Sequence, residues 1–124
     1  MHTIFALATA QGKAGVAVIR ISGPQAFAAA SVLAGSLPEP RKTGVRMVRD
    51  RAGALIDEAM LICFAGPASF TGEDVVEIHL HGSPAIVRRV LSELSEIDGL
   101  RHAEPGEFTR RALENERLDL AQVE

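Results

Sequence analysis

The chain is poor in aromatic residues and in sulfur. Tryptophan and tyrosine are absent, phenylalanine occurs five times, and Cys63 is the single cysteine among 124 residues. One cysteine excludes an internal disulfide, and the few aromatic residues leave a core that must be mainly aliphatic. Cys63 lies in the apolar run 60–64, where we expect a buried small hydrophobic residue rather than a reactive thiol.

A basic excess is also missing. The chain has 13 Lys and Arg residues against 16 Asp and Glu residues, a net charge of -3. This balance argues against a basic nucleic-acid-binding domain, although an RNA-acting protein can carry its RNA contacts elsewhere. The basic residues concentrate in 41–51, whereas 52–87 contains acids and no Lys or Arg. We interpret the two segments as solvated faces of one domain, with a basic face beside an acidic pocket as the alternative.

Several common site and targeting signals do not occur. No run approaches the roughly 18 apolar residues of a membrane span, and no secretory signal opens the chain. The sequence therefore predicts a cytoplasmic protein with no membrane partner. A Gly-x-x-x-x-Gly-Lys-Ser/Thr phosphate loop and a cysteine cluster for zinc are both absent. We expect no GTP or ATP binding through such a loop, and no zinc site.

Strand and helix signals alternate along the chain. Apolar runs rich in β-branched residues predict strands, and apolar residues at helical spacing predict helices. The predicted strands cover 3–9, 16–21, 43–50, 54–64, 75–80 and 100–103, with a hairpin between the third and fourth. The predicted helices cover 24–34, 84–97 and 105–114.

The last six residues predict the start of a further element. Asp119, with Gln122 three positions later, is typical of a capping box at a helix start. Six residues cannot hold a helix alone, because nucleation is costly. We therefore expect one domain over 1–118, and the beginning of a truncated helical domain at 119–124.

Two charged residues interrupt strands that are otherwise apolar. Arg20 lies within 16–22 and Glu77 within 75–80. A charge in such a place needs a partner or faces a cleft; a solvent-facing position on a half-exposed strand is the plain alternative. The two residues have opposite signs, so they form a salt bridge or line one pocket, and the pattern does not choose between these.

Two histidines follow at alternate positions of the same predicted strand. His79 and His81 therefore share one face with Glu77. A metal site would need further ligands, which the sequence does not place. We expect ordinary hydrogen-bonded histidines and no metal site.

Several motifs in order along the chain carry a family resemblance. They are TIFA and GKAGVAVIRISG within 3–23, GPASFTGEDVVE at 66–77, HGSP at 81–84, AEPGEFTRRA at 103–112 and LDLAQ at 118–122. In content and spacing they resemble the MnmE (TrmE) tRNA modification GTPases over essentially the whole chain.

This resemblance implies a fold and a ligand. The implied fold is α+β (α/β), a mixed β-sheet with flanking helices that resembles the tetrahydrofolate-binding domain of aminomethyltransferases. The implied ligand is a one-carbon tetrahydrofolate derivative, 5-formyltetrahydrofolate or 5,10-methylenetetrahydrofolate. The domain is expected to pair with its copy in a homodimer. A dimerisation module without ligand binding of its own is the alternative.

The rest of the implied function lies in later domains and in partners. In the family, a helical domain and a potassium-dependent GTPase domain follow, so GTP, Mg²⁺ and K⁺ belong to that missing part. With an MnmG-type flavoprotein, the family modifies the wobble uridine of certain tRNAs at carbon 5. We expect the chain alone to hydrolyse no GTP and to modify no tRNA, and we assign it no catalytic residue.

The resemblance also implies three folate-contacting positions, which are Arg20, Glu77 and Arg117. One carboxylate can accept the amino group and ring N–H of a pterin side by side, and we expect Glu77 to do so. Arg20 and Arg117 then hold the glutamate tail, the pterin carbonyl or the one-carbon group. Arg117 stands where many members have lysine, which keeps the charge but changes its geometry.

Overall fold

The computed structural model describes residues 2–9 and 15–115, which form one β-sheet with three helices. The strands are β1 (Thr3–Leu7), β2 (Val16–Ser22), β3 (Thr43–Arg49), β4 (Leu55–Phe64), β5 (Val75–His81) and β6 (Leu100–His102). The helices are α1 (Ala26–Ala34), α2 (Pro84–Ser95) and α3 (Glu107–Glu114). None of these helices is both long and apolar enough to cross a membrane.

The six strands form a mixed sheet in the order β3-β4-β5-β2-β1-β6. Neighbouring strands are antiparallel except β1 and β6, which run parallel. The α+β class with a mixed sheet is therefore confirmed, and so is the hairpin of β3 and β4. The register places Arg20 opposite Glu77 across β2 and β5.

One face of the sheet carries the core. Ile19, Ile78 and Leu61 lie opposite one another on β2, β5 and β4 and are fully buried. They pack in one cluster with residues of α1 and α2, among them Ala30 and Val90. Burying each large aliphatic side chain contributes roughly 1.5–3 kcal/mol. We call this side of the sheet the covered face.

The other side of the sheet carries the alternate residues of the same strands. Arg20 opposes Glu77, His79 opposes Met60, and Met60 opposes Val45. Directly opposed residues share a face, so these five side chains lie together. We call this side the open face; the sequence predicted that Glu77 and His79 share it.

Helix α1 begins at Ala26, two residues later than predicted. Gln25 occupies the N-cap without a side-chain cap bond, and its N–H donates to Thr3 Oγ1 at 2.8 Å. Gly23, at φ 142, sits so close to β1 that an added Cβ would meet the Thr3 Cα at 2.7 Å. The close approach of β1 holds residues 23–25 in a turn, so the predicted helix start at 24 is wrong.

Helix α3 also begins later than predicted, at Glu107 instead of 105. Gly106 precedes it with φ 75, a left-handed conformation that the helix cannot include. Helix α2 starts at Pro84 as predicted and ends at Ser95, two residues early. The domain boundary after 118 and the helix expected from Asp119 lie outside the described residues.

Candidate functional site

Arg20 and Glu77 form an ion pair on the open face. Arg20 Nη2 lies 3.0 Å and Nε 3.2 Å from Glu77 Oε2. The two side chains are 26% and 21% exposed, so water still reaches both. Of the sequence alternatives, the salt bridge is therefore present.

The histidines beside this pair are hydrogen-bonded as expected. His79 Nε2 lies 3.2 Å from Glu77 Oε1, so both carboxylate oxygens of Glu77 have a partner. His81 Nδ1 lies 2.9 Å from Asp57 Oδ1. Within residues 2–9 and 15–115, no group of three His, Cys, Asp or Glu side chains is placed to hold a metal ion.

Two phenylalanines flank the Arg20 guanidinium. Its Cζ lies 5.6 Å from the Phe70 ring centroid and 5.7 Å from that of Phe108, within cation–π range. Phe70 belongs to the loop between β4 and β5, and Phe108 to the first turn of α3. The guanidinium therefore lies near two aromatic rings.

A cavity of about 450 Å³ opens at this point. Arg20, Phe70 and Phe108 line it together with the end of β1 and the segment that precedes α3. Its size lies within the range of small-molecule sites. Glu77 is outside the lining set and reaches the cavity only through its bond to Arg20. Of the two residues, Arg20 alone lines this cavity, so the structure has the predicted salt bridge and does not have both charges lining this pocket.

A network of buried ion pairs joins α3 to the β4–β5 loop. Arg111 Nη1 lies 3.1 Å from each carboxylate oxygen of Glu73, and their side chains are only 6% and 10% exposed. Arg111 Nη2 donates to the His2 carbonyl at 2.8 Å. Ser22 Oγ donates to Glu73 Oε1 at 2.9 Å. Because each charge is paired and hydrogen-bonded, the network meets the condition for burying charge.

Glu107 at the start of α3 extends this network. Arg101 Nη1 donates to its Oε1 at 2.7 Å, and the Glu104 N–H donates to the same oxygen at 2.9 Å. Hydrogen bonding from the Arg101 guanidinium, reinforced by the Glu104 N–H, lowers the pKa of Glu107 to about 2 despite its burial. Glu107 is therefore a carboxylate at neutral pH.

The basic side chains of segment 41–51 make local contacts, two of them with acidic side chains. Lys42 Nζ lies 3.1 Å from Glu39, and Arg51 Nε lies 3.3 Å from Glu93. Arg46 Nε donates to the Ser36 carbonyl at 2.7 Å. These contacts fit the interpretation of the segment as solvated surface.

The open face exposes an apolar stripe towards the β3 edge. It is formed by residues of β2, β3 and β4 that are more than a third exposed: Val16, Val45, Met47 and Met60. A second cavity, of about 290 Å³, lies beside the stripe and is lined by Val16, Val45 and Met60 with His79 and His81. On this face His79 and His81 of β5 lie between Val16 of β2 and Met60 of β4, so the exposed apolar side chains surround two histidines. Exposed apolar surface can mark an interaction site in a soluble protein.

The amino-acid sequence matches a known protein family over most of its length. The family described as "GTP-binding protein TrmE N-terminus" matches residues 3–117. The chain belongs to this TrmE N-terminal family. The match confirms the resemblance carried by the sequence motifs.

Individual members of the TrmE N-terminal family match along the whole chain. The chain is 62% identical over all 124 residues to the tRNA modification GTPase MnmE of Dinoroseobacter shibae. It is 61% identical over 124 residues to that of Roseobacter denitrificans, and 55% identical over 122 residues, 98% of the chain, to that of Phenylobacterium zucineum. It covers 29% of the first two relatives and 27% of the third.

Of the three site residues named from the sequence, the structure brings two together. Arg20 and Glu77 are paired, whereas Arg117 lies outside the described residues. Sequence reasoning missed Phe70 and Phe108 as walls of the cavity. Both lie inside family motifs, and the chain has only five aromatic residues, so their position in those motifs was the available signal.

Proposed function

We propose that this chain is the folate-binding and dimerisation domain of a tRNA modification GTPase. The ligand is a one-carbon derivative of tetrahydrofolate, 5-formyltetrahydrofolate or 5,10-methylenetetrahydrofolate, and its site is the cavity beside Arg20. The observation that carries the proposal is the Arg20 guanidinium between Phe70 and Phe108 at the cavity wall, in a chain of the TrmE N-terminal family.

The residues present suit a flat ring with polar edges. The phenyl groups of Phe70 and Phe108 offer apolar surface for a pterin, and aromatic faces pack well against such rings. Arg20 supplies N–H donors for a carbonyl or a carboxylate. The cavity volume of about 450 Å³ accommodates the ring system, while the glutamate tail extends towards solvent.

Glu77 does not line the cavity, so it would hold the amino group and ring N–H of a pterin only after Arg20 moves aside. Its Oε2 is occupied by Arg20 and its Oε1 by His79. A carboxylate accepts about four hydrogen bonds, so binding requires Arg20 to share or release Oε2. Arg20 then turns towards the ligand while staying between its two phenylalanines, and Arg117 is the candidate second cation.

The domain's own residues bind and orient the folate, and the folate supplies the one-carbon chemistry when it is bound. Arg20, Phe70 and Phe108 fix the ring, and Glu77 selects for adjacent N–H donors. This division matches a module that presents a one-carbon unit to chemistry carried out elsewhere in a larger assembly.

Calorimetric titration of 5-formyltetrahydrofolate into the purified chain tests the ligand. p-Aminobenzoylglutamate, which has the tail but no pterin, is the matched control compound. We expect saturable binding of the folate and at least about tenfold weaker binding of the control, because the pterin makes most of the contacts. Equal binding of both, or no binding of either, contradicts the proposed site in this chain.

Dimerisation is supported by the apolar stripe of the open face. Val16, Val45, Met47 and Met60 leave a patch that a second copy would cover by an isologous contact. This observation also favours the second candidate function, a dimerisation module without ligand binding of its own. The mass of the chain in solution, measured by light scattering, distinguishes a dimer from a monomer.

The remaining functions belong to the whole protein and are proposed on family membership. They are GTP hydrolysis with Mg²⁺ and K⁺ in a separate domain, and modification of a tRNA wobble uridine with an MnmG-type flavoprotein in the cytoplasm. The relatives' name, tRNA modification GTPase, supports this assignment. The chain itself lacks a phosphate-loop motif.

A further inference from the structure

The two walls of the proposed folate cavity come from separate parts of the fold. Phe70 lies in the loop between β4 and β5, and Phe108 lies on α3. These parts meet through Arg111, which follows Phe108 by one helical turn, and Glu73, which follows Phe70 by three residues. Arg111 Nη1 contacts both Glu73 oxygens at 3.1 Å.

We propose that Arg111 and Glu73 form a clasp that positions Phe70 and Phe108 beside Arg20. The inference rests on the proposed folate site, because it assigns a role to residues that do not line the cavity themselves. Arg111 and Glu73 are positioning residues; they act through the two phenylalanines.

The geometry around the clasp favours this role. Ser22 Oγ ties Glu73 Oε1 to β2 at 2.9 Å, and Ser22 is two residues from Arg20 on the same face of that strand. Asn115 Nδ2 donates to the Thr71 carbonyl at 3.0 Å, a second tie between the end of α3 and the loop. The clasp therefore joins the helix, the loop and the strand that carry the three cavity groups.

The ion pair of the clasp is buried. Arg111 and Glu73 are almost inaccessible to water. Arg111 Nη1 makes its two 3.1 Å contacts with Glu73, while its Nη2 makes a longer contact of 3.4 Å with Glu107 Oε2. Removing Arg111 leaves the buried Glu73 carboxylate without this cation, and removing the Glu73 charge leaves Arg111 with the longer Glu107 contact, so either change favours separation of the two parts. Opening the clasp would move Phe108 away from Phe70 and widen the cavity.

An introduced tryptophan can report on this movement without any ligand. The chain has no tryptophan and no tyrosine, so Phe108→Trp creates a single reporter within the cavity wall. In this background we compare Arg111→Gln with Arg110→Gln. The control removes the same charge from the preceding position of α3. The Arg110 side chain is 53% exposed, and its Nη2 lies 3.7 Å from Glu107 Oε2.

We expect Arg111→Gln to raise acrylamide quenching of the tryptophan by about twofold through local opening, and Arg110→Gln to leave it unchanged. Arg111→Lys, which keeps the charge, restores part of the protection. Glu73→Gln is the second variant, and it should raise the quenching in the same direction, by less than Arg111→Gln because Arg111 keeps its contact with Glu107. Far-UV circular dichroism should show an intact sheet in each.

The proposal is overturned if acrylamide quenches the tryptophan in Arg111→Gln and in Glu73→Gln no more than in the Arg110→Gln control. It is also overturned if both variants lose the sheet, because the pair then supports the whole domain rather than the cavity. The clasp is supported if both variants keep the sheet and acrylamide quenches their tryptophan more strongly than in the control.

A second readout separates this inference from the proposed function. With Phe108 restored, we expect Arg111→Gln to bind 5-formyltetrahydrofolate about tenfold more weakly than Arg110→Gln, through lost preorganisation. Absence of binding by the parent chain defeats the folate proposal, while the quenching data still decide the clasp. Equal binding by both variants contradicts the positioning role.

Discussion

Arg20 on β2 and Glu77 on β5 are direct cross-strand partners, and their side chains meet at 3.0 Å on the open face of the sheet. Each charge lies between apolar neighbours on its strand, Ile19 and Ile21 for Arg20 and Val76 and Ile78 for Glu77. The pairing satisfies both, and it also places Arg20 between Phe70 and Phe108. A single ion pair thus links the fold to the proposed ligand site.

The first prediction concerns this pair. Arg20→Ala and Glu77→Ala should each weaken 5-formyltetrahydrofolate binding by about 100-fold, since charged hydrogen bonds contribute about 1.5–3 kcal/mol. Each should cost only about 1 kcal/mol of stability, because both side chains remain partly exposed. Calorimetry and urea unfolding measure the two effects, and light scattering should show an unchanged dimer.

The exposed pair of Glu39 and Lys42 supplies the control for these variants. Glu39→Ala removes a carboxylate from a surface ion pair and should change neither ligand affinity nor mass. If Arg20→Ala and Glu77→Ala both dissociate the dimer, the pair is structural and the folate assignment of these residues fails.

The second prediction concerns the apolar stripe. Val45→Glu should weaken self-association by at least tenfold, because burying an unpaired carboxylate in an interface costs about 3 kcal/mol or more. Val32→Glu is the matched control on α1, since Val32 is 59% exposed and Val45 is 61% exposed. Sedimentation equilibrium of the two variants measures the difference. A dimer that survives Val45→Glu places the interface elsewhere.

Local pattern was sufficient for much of the fold. The hairpin of β3 and β4, strand β5 and helix α2 follow from spacing within each segment, and the structure has them within two residues of the predicted bounds. The start of α1 was missed because it depends on Thr3. The Thr3 hydroxyl accepts a hydrogen bond from the Gln25 N–H, and the two residues are 22 positions apart in the chain. No pattern within 22–34 contains that contact.

The candidate site was predictable only in part. Arg20 and Glu77 stood out as charges in apolar strands, but their pairing depends on β2 and β5 being neighbours, 57 residues apart in the chain. Arg111 and Glu73 gave no such signal. Each lies in a polar segment where a solvated charge is the ordinary expectation, and only the tertiary fold brings their side chains together with little exposure to water.

The third prediction concerns pH. The pKa of Glu107 falls from 4.5 to about 2 on folding, so its contribution to stability is complete above about 4.5 and is lost as pH falls towards 2. The contribution is on the order of 2 kcal/mol, because each tenfold change in proton affinity is about 1.4 kcal/mol and Arg101 is partly exposed.

Glu107→Gln isolates this effect from the other carboxylates. The variant should be less stable than the parent at neutral pH, and the difference should shrink as the pH of the urea denaturation series is lowered from 5 to 2. A difference that stays constant across this range would show that Glu107 does not act through its charge.

The fourth prediction concerns Cys63, which is 2% exposed within the core cluster. Burial raises the pKa of the Cys63 thiol, so little thiolate is available in the folded protein. Its reaction with a disulfide reagent should be at least about a hundredfold slower in the native chain than in denaturant. Comparable rates in both would contradict the buried position of this side chain.

The most direct test of the account is a map of the folate contacts by nuclear magnetic resonance. Backbone amide shifts of the ¹⁵N-labelled chain would be followed during titration with 5-formyltetrahydrofolate. We predict that the largest changes fall on amides of residues that line the cavity beside Arg20: Ala6, Leu7, Ala8, Phe70, Ala103, Glu104, Gly106, Phe108 and Thr109. Saturable changes confined to the second cavity beside His79 and His81, or no changes at all, would contradict the account.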